Sequence, residues 1–268
     1  MNAVVPIESW PARLESVLTE QCTILKRVTV LDVSDSTQDA ARRLHARAGD
    51  VITTWRQTSG RGRLGRAWAD TAMDGIAVTL IVDRGASELL AIASAVGVAL
   101  AVEGILGRAV GIKWPNDIVV DGRKLSGILI EQIEQLALIG VGVNVSQRQW
   151  PAELANRAIS LAQLGVDVDR LDVLARLLPT MDQTLRWPVE KIEREFARRD
   201  ALVGSVATFR AGQRMVTGRV VRIDPLHGLE VRSIDFGGDL GPIEHLPAAT
   251  TSPVEVHEQA SAGAIPAK

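Results

Sequence analysis

The chain has few of the residues that usually announce a function. One cysteine, Cys22, stands among 268 residues, which excludes an intrachain disulfide framework and any cysteine-rich metal site. Four histidines, His45, His227, His245 and His257, are scattered without ligand spacing, and none is close to Cys22 in the sequence. A protein-held zinc or a Cys/His nucleophile is therefore not expected. Charge of one sign is scarce too: the formal net charge is −2 and the calculated pI about 6.1, so no global bias towards nucleic acid or an anionic membrane exists. No run of about 18 or more apolar residues is apparent, and Met1–Trp10 has neither a basic nor an apolar leader region. Internal repeats are absent as well. These absences, with an ordinary content of 46% hydrophobic and 23% charged residues, predict a cytoplasmic protein with one large domain and something small beside it.

What is present concentrates in a few stretches. Gly60-Arg61-Gly62-Arg63-Leu64-Gly65-Arg66 alternates glycine and arginine. Glycine lets backbone N–H groups approach an anion, and arginine supplies permanently charged planar donors. The stretch also spells G-x-G-x-x-G. A dinucleotide fingerprint requires a helix with an apolar stripe after it, and Arg66–Gly75 has none, so the nicotinamide reading fails. A solvated basic turn or a nucleic-acid patch leaves the repeated glycines unexplained.

In chain order, periodicity predicts a helix over Pro11–Gln21, a strand over Ile24–Val33, and a helix capped near Ser34-Asp35-Ser36 and running to about Ala48. Ser36 and Thr37 are either a helix cap or hydroxyls offered to a ligand. Val51–Gln57 is a strand delivering the arginine loop, Gly75–Asp83 another, and Ser87–Leu106 an alanine-rich core helix. Asp121-Gly122 between two β-rich runs predicts a hairpin, with Lys113, Asn116 and Asp117 at the entry to its first arm and Lys124 opening its second. Leu136–Val145 is a strand whose Gly140 and Gly142 share one face, as a ligand approach or as a packing notch for Trp68 or Trp114. Helices over Leu171–Arg186 and Pro188–Arg199 follow. Then Gly204–Phe209, Met215–Ile223 and Leu229–Asp235 read as strands of a small barrel, and Pro247–Lys268 as a mobile tail. The expected domains are 1–200, 201–249 and a tail of 250–268.

Five ordered motifs, Ser36-Thr37-Gln38, Gln57 through Trp68, Lys113-Trp114-Pro115-Asn116-Asp117, Arg123 through Leu129, and Gly140-Val141-Gly142-Val143-Asn144, together resemble biotin protein ligases. The resemblance implies an α+β fold: a mixed-sheet catalytic domain similar to class II aminoacyl-tRNA synthetases, followed by an SH3-like β-barrel. It implies that biotin and MgATP give biotinyl-5′-adenylate, and that biotin then passes to a lysine of a biotin carboxyl carrier domain. It further implies a biotin site of Ser36, Thr37, Gln38, Gln57, Arg61, Gly62, Arg63 and Lys124, flanked by Gly127, Leu129, Gly140 and Gly142. ATP falls to Arg63, Arg66, Trp68, Asn116, Lys124 and Asn144. Arg63, Lys113, Lys124 and Asp117 are the catalytic candidates, the last as an orienter or base for the incoming lysine or simply a turn cap. No protein-held metal is expected, only Mg²⁺ with the nucleotide.

The family commonly has asparagine where Gln38 stands, a departure confined to that one contact. Only about two dozen residues precede the first expected strand, too few for a winged-helix domain, so DNA binding is not expected. A homodimer is compatible with the resemblance. The nearest alternative is a lipoate-type ligase or acyltransferase; an RNA-binding module is more distant.

Overall fold

The computed structural model describes residues 5–65, 67–68, 73–234 and 240–258, with the side chains of Leu64 and Glu258 excepted. It divides into two compact units, Met1–Ile112 with Asn116–Arg199, and Lys113–Pro115 with Asp200–Lys268.

The first unit is built on a seven-stranded mixed sheet. Its elements begin with α1 (Trp10–Gln21), β1 (Arg27–Ser34), α2 (Thr37–Arg43), β2 (Asp50–Gln57), β3 (Gly75–Asp83) and α3 (Ser87–Leu106). They continue with β4 (Gly111–Lys113), β5 (Asp117–Val120), β6 (Arg123–Ile133), β7 (Leu136–Asn144), α4 (Arg170–Thr184) and α5 (Val189–Ala197). The strand order is β1-β2-β3-β7-β6-β5-β4. β1 and β2 run parallel, whereas β2–β3, β3–β7, β7–β6 and β6–β5 are antiparallel. The predicted hairpin turn falls at Asp121 and Gly122, both left-handed at φ of 49° and 73°, the backbone that a tight two-residue turn needs.

Strand alternation sends Thr79 and Ile81 of β3, with Leu138, Gly140 and Gly142 of β7, to one side of the sheet. α2 lies on that side: Ala40 and Ala41 close a core cluster with Ile52, Ile81 and Leu138. α3 packs on α4, α5 and β6. By length and composition α3 is apolar enough to cross a membrane, a property the sequence reading did not assign. However, most of Ile92–Val102 is buried in the protein, as in a core helix.

α1 is held to α4 through a fully buried carboxylate. Asp182 accepts hydrogen bonds from the backbone N–H groups of Thr23, Ile24 and Leu25, at 2.9, 2.7 and 2.9 Å. Arg186 completes the pairing at 3.1 Å.

The second unit carries an antiparallel five-stranded sheet of order β11-β10-β9-β8-β12. Its strands are β8 (Val206–Ala211), β9 (Arg214–Asp224), β10 (Gly228–Ile234), β11 (Leu240–Pro247) and β12 (Thr251–Glu258). Ala207, Phe209, Val220, Leu229, Val231 and Leu246 are its buried core. Among the described residues no pairing joins β11 to β12, so the expected barrel is found here as an antiparallel sheet. Thr251–Glu258, assigned from composition to a mobile tail, instead forms a strand in register with β8. The remaining tail, 259–268, lies outside the described residues.

Candidate functional site

The site grows from the carboxyl ends of the two parallel strands. β1 and β2 stay in register up to Ser34 and Gln57, and Thr58 and Ser59 donate to the carbonyls of Ser34 and Asp35 at 2.9 and 2.8 Å. Ser36 is the extended N-cap of α2, at φ −149° and ψ 135°. Its N–H bonds Asp35 Oδ1 at 2.7 Å, and Ser34 Oγ donates to its carbonyl at 3.1 Å. Its own hydroxyl makes no cap bond.

Thr37 N donates to Gln57 Oε1 at 2.9 Å, with Thr37 Oγ1 at 3.4 Å from the same oxygen. From beneath, Thr79 Oγ1 donates to Thr37 Oγ1 at 2.8 Å. The result is a buried chain of hydroxyl and amide groups at the start of α2. Once dry, such groups demand polar partners. Thr79 was not anticipated from the sequence. The available signal was its place as the one polar residue in Ile76-Ala77-Val78-Thr79-Leu80-Ile81-Val82.

The floor beside this chain is glycine. Gly127 and Gly142 are register partners across β6 and β7, as are Leu129 and Gly140. A Cβ on Gly142 would lie 2.4 Å from Trp68 Cε2, and one on Gly127 would lie 3.0 Å from Trp68 Cζ3 and 2.8 Å from Lys124 Nζ. Trp68 thus rests directly on the glycine pair, and Trp114 does not take part. Gly140 carries a different neighbour: a Cβ there would meet Gln38 Cδ at 3.0 Å. Gln38 Nε2 donates to the carbonyls of Leu129 and Leu138 at 3.2 and 3.3 Å. The glutamine that departs from the family pattern therefore spans β6 and β7 with its amide.

Lys124 is positioned through its backbone, which bonds Arg157 O at 2.8 Å and receives Ile159 N at 3.0 Å. Its ammonium is 2.6 Å from Asp117 Oδ1 and 5.4 Å from the centre of the Trp68 ring. Asn144 is buried, with Nδ2 donating to Lys124 O at 3.2 Å and Ile159 O at 3.0 Å. Asn116 bonds the backbone of Ile128, and Arg63 NH1 reaches Asn116 Oδ1 at 3.5 Å.

The arginine loop is folded back on itself. Arg61 and Ala67 form an isolated antiparallel bridge, and Trp68 N donates to Gly60 O at 2.8 Å. Gly62 precedes a single helical turn, Arg63–Gly65. The Arg61 guanidinium turns outwards to Asp39 and Glu131, which also hold Arg42 at 2.6 and 2.9 Å. The Arg61 hydrogen bond keeps the Asp39 carboxyl below the usual carboxylate range.

Lys113 ends β4, at the edge of the seven-stranded sheet, and Arg66 lies outside the described residues. Among the described residues no three His, Cys, Asp or Glu side chains cluster as a metal site. The arrangement therefore offers a polar end at Ser36, Thr37 and Gln57, a flat floor without side chains, and a cation with an indole over that floor. It is suited to a long ligand with polar heads and an anionic middle.

The family model described as the biotin/lipoate A/B protein ligase family matches residues 30–145, the segment that holds every site residue gathered above. A biotin--[acetyl-CoA-carboxylase] ligase of Mycobacterium tuberculosis is 33% identical over 231 residues, covering 78% of this chain and 82% of that protein. The bifunctional ligase/repressor BirA of Bacillus spizizenii is 36% identical over 170 residues, 58% of this chain and 52% of the relative, so the chain spans about half that relative's length. Among solved structures, the biotin protein ligase of Aquifex aeolicus in complex with biotin and ATP superposes with a TM-score of 0.76 at 26% identity, over 86% of this chain and 99% of that one. The chain belongs to the biotin protein ligase family.

Proposed function

We propose that this chain is an ATP-dependent biotin protein ligase. It joins the biotin carboxylate to the α-phosphate of ATP, releasing pyrophosphate, and then delivers the acyl group of biotinyl-5′-adenylate to one lysine of a biotin carboxyl carrier domain. The single observation that carries this reading is the paired Gly127–Gly142 floor under Trp68, with Lys124 beside it, next to the Ser36–Thr37–Gln57 cluster. The Mycobacterium relative's name and the ligands in the Aquifex structure support it.

The chemistry explains the residue types. Attack of a carboxylate on a phosphate brings two anions together, so catalysis rests on positioning and fixed positive charge rather than on a protein nucleophile. Lys124 bridges both substrates. Arg63 and Arg66 serve the phosphates, and the N–H groups of Arg61 to Arg63 serve the oxygens passing beneath them. Thr37, Ser36 and Gln57 hold the polar ring of biotin, and Gly127, Leu129, Gly140 and Gly142 flank the ligands, Gly140 beneath Gln38 and the Gly127–Gly142 pair beneath the indole of Trp68.

Trp68 packs against adenine. With its Nδ2 already shared between two carbonyls, Asn144 presents Oδ1 as an acceptor for the exocyclic amine. In the second step Asp117 orients the incoming lysine, which then shares that carboxylate with Lys124. Lys113 remains a catalytic proposal from the sequence motif alone. Magnesium, arriving with the nucleotide phosphates, would supply further charge neutralisation; the described protein residues form no separate cage for it.

We read residues 1–200 as the catalytic domain and the C-terminal sheet as an SH3-like module, in a protein working in the cytoplasm. The deciding experiment is incubation with biotin, MgATP and a carrier domain. A mass gain of one biotin on one lysine is expected, with no gain when lipoate replaces biotin. Transfer or calorimetric binding of lipoate alone overturns the assignment.

A further inference from the structure

β2 and β3 hydrogen-bond only where Val51, Ile52 and Thr53 face Leu80, Thr79 and Val78. Beyond Thr53, β2 keeps β1 as its partner up to Gln57, while β3 keeps β7 back to Gly75. A fork therefore opens between the two strands, and the arginine loop hangs from its two prongs. Thr53 Oγ1 closes the root by donating to Ala77 O at 2.9 Å. Further out, Arg170 NH1 spans the fork, donating to Trp55 O at 2.8 Å and to Gly75 O at 3.4 Å.

Arg170 is the first residue of α4 and only 5% exposed. Its guanidinium lies 4.0 Å from the centre of the Trp55 ring and 5.2 Å from that of Trp10, two rings in edge-to-face contact at 5.5 Å. Asp169, the N-cap of α4, accepts from Leu171 N at 2.7 Å and Val5 N at 3.0 Å, which fixes the helix start. Burying a cation is costly unless its donors are served. A planar guanidinium tolerates the burial because it stacks on aromatic faces while bonding in its own plane. An apolar residue would fill the same space and leave the two prongs unjoined.

We propose that Arg170 is a positioning residue for the nucleotide side of the site: it sets the separation of the strand ends that suspend Gly60–Trp68. This rests on the ligase reading only for what the loop holds. Trp55 lies two residues before Gln57, and a displacement of about 1 Å at such a distance from the chemistry can cost up to roughly a hundredfold in rate.

The test compares wild type with Arg170→Met, which keeps apolar packing against the two rings and loses the donors, and with Arg170→Lys, which keeps the charge but not the fork of donors. All are kept well below their own melting temperatures. The first readout is trypsin cleavage after Arg61 and Arg63 without ligand. The second is the KM for ATP against kcat in pyrophosphate release. In Arg170→Met, cleavage at those two sites accelerates on the order of tenfold while other sites are unchanged, and the KM for ATP rises roughly tenfold or more with a smaller change in kcat. Arg170→Lys falls between, and keeps the test readable if the methionine variant does not fold. Unchanged cleavage at Arg61 and Arg63 in a folded variant, or faster cleavage uniformly along the chain, overturns the proposal. Selective loop cleavage in a protein whose wild type transfers no biotin upholds the strut and refutes the ligase reading instead.

Discussion

Gly142→Ala probes the floor of the site with one methyl group. Its Cβ would stand 2.4, 2.5 and 2.9 Å from Cε2, Cζ2 and Nε1 of Trp68. Ordinary carbon contacts lie at about 3.5–4.0 Å, so the indole must lift by about 1 Å. The backbone tolerates the change, because Gly142 is paired inside β7 and is not among the residues with positive φ. On stability, the stiffer unfolded chain contributes about 0.4–1 kcal/mol in favour. Overpacking costs about 1–3 kcal/mol, at its lower end here because Trp68 is only half-buried. The two nearly offset, which amounts to a melting shift of a few degrees at most. Under the proposed assignment function is hit harder, since the lifted ring leaves both the adenine stack and the Lys124 ammonium 5.4 Å from its centre. We expect the KM for ATP to rise roughly tenfold or more, with biotin binding by calorimetry changed far less. The assay is pyrophosphate release at saturating biotin over a range of ATP, alongside a thermal melt. A normal melt with an unchanged KM for ATP would refute the claim that the ring over Gly142 is the nucleotide's seat.

Lys124→Ala should lower pyrophosphate release by on the order of a hundred- to a thousandfold. It should melt near wild type, because its half-exposed pair with Asp117 contributes about 1 kcal/mol or less after solvent screening; full release by the variant sinks the assigned role. Gly104→Ala, in the exposed part of α3 where a Cβ meets nothing within 4 Å, should stabilise the chain by about 0.5–1 kcal/mol without altering activity, read as a higher urea midpoint. Burial, reinforced by Asp182, pushes the Cys22 thiol up from 9.0 to about 12. A folded value above the unfolded one means full stability below pH 9 and a progressive loss as pH rises from there towards 12. Urea midpoints at pH 8 and 10.5 check the sign, and a midpoint independent of pH in Cys22→Ala completes the control.

Some of the architecture could be read directly from local signals. β3 and α3 begin and end where Gly75, Asp83, Ser87 and Gly107 punctuate the chain, and the turn at Asp121-Gly122 announced its hairpin. β11 and β12 could not be read this way. Pro242, Pro247 and Pro253 interrupt them, their composition is that of a loop, and their order comes from β10 and β8, partners found only in three dimensions. The site divides similarly. Alternation put Gly140 and Gly142 on one face, and left open what they faced. Only the coordinates assign Gln38 to one and Trp68 to the other. Arg61 sits within the basic motif, yet its charge is spent on Asp39 and Glu131. Arg170 stands one residue ahead of the helix expected over Leu171–Arg186 and drew no assignment, since nothing nearby in sequence betrays the two tryptophans that enclose it.

The Asp182 staple carries a practical consequence for anyone shortening or grafting this protein. A version starting at Arg27 would lose Thr23, Ile24 and Leu25, and with them the three N–H groups that bond Asp182 in the apolar interior. The helix removed would look dispensable, being remote from the glycine floor. Yet its loss would strand that carboxylate, and α4, which bears Arg170 at its other end, would loosen with it. Tags and reporters are therefore better joined ahead of Val5, leaving its bond to Asp169, the first helix and the turn after it intact.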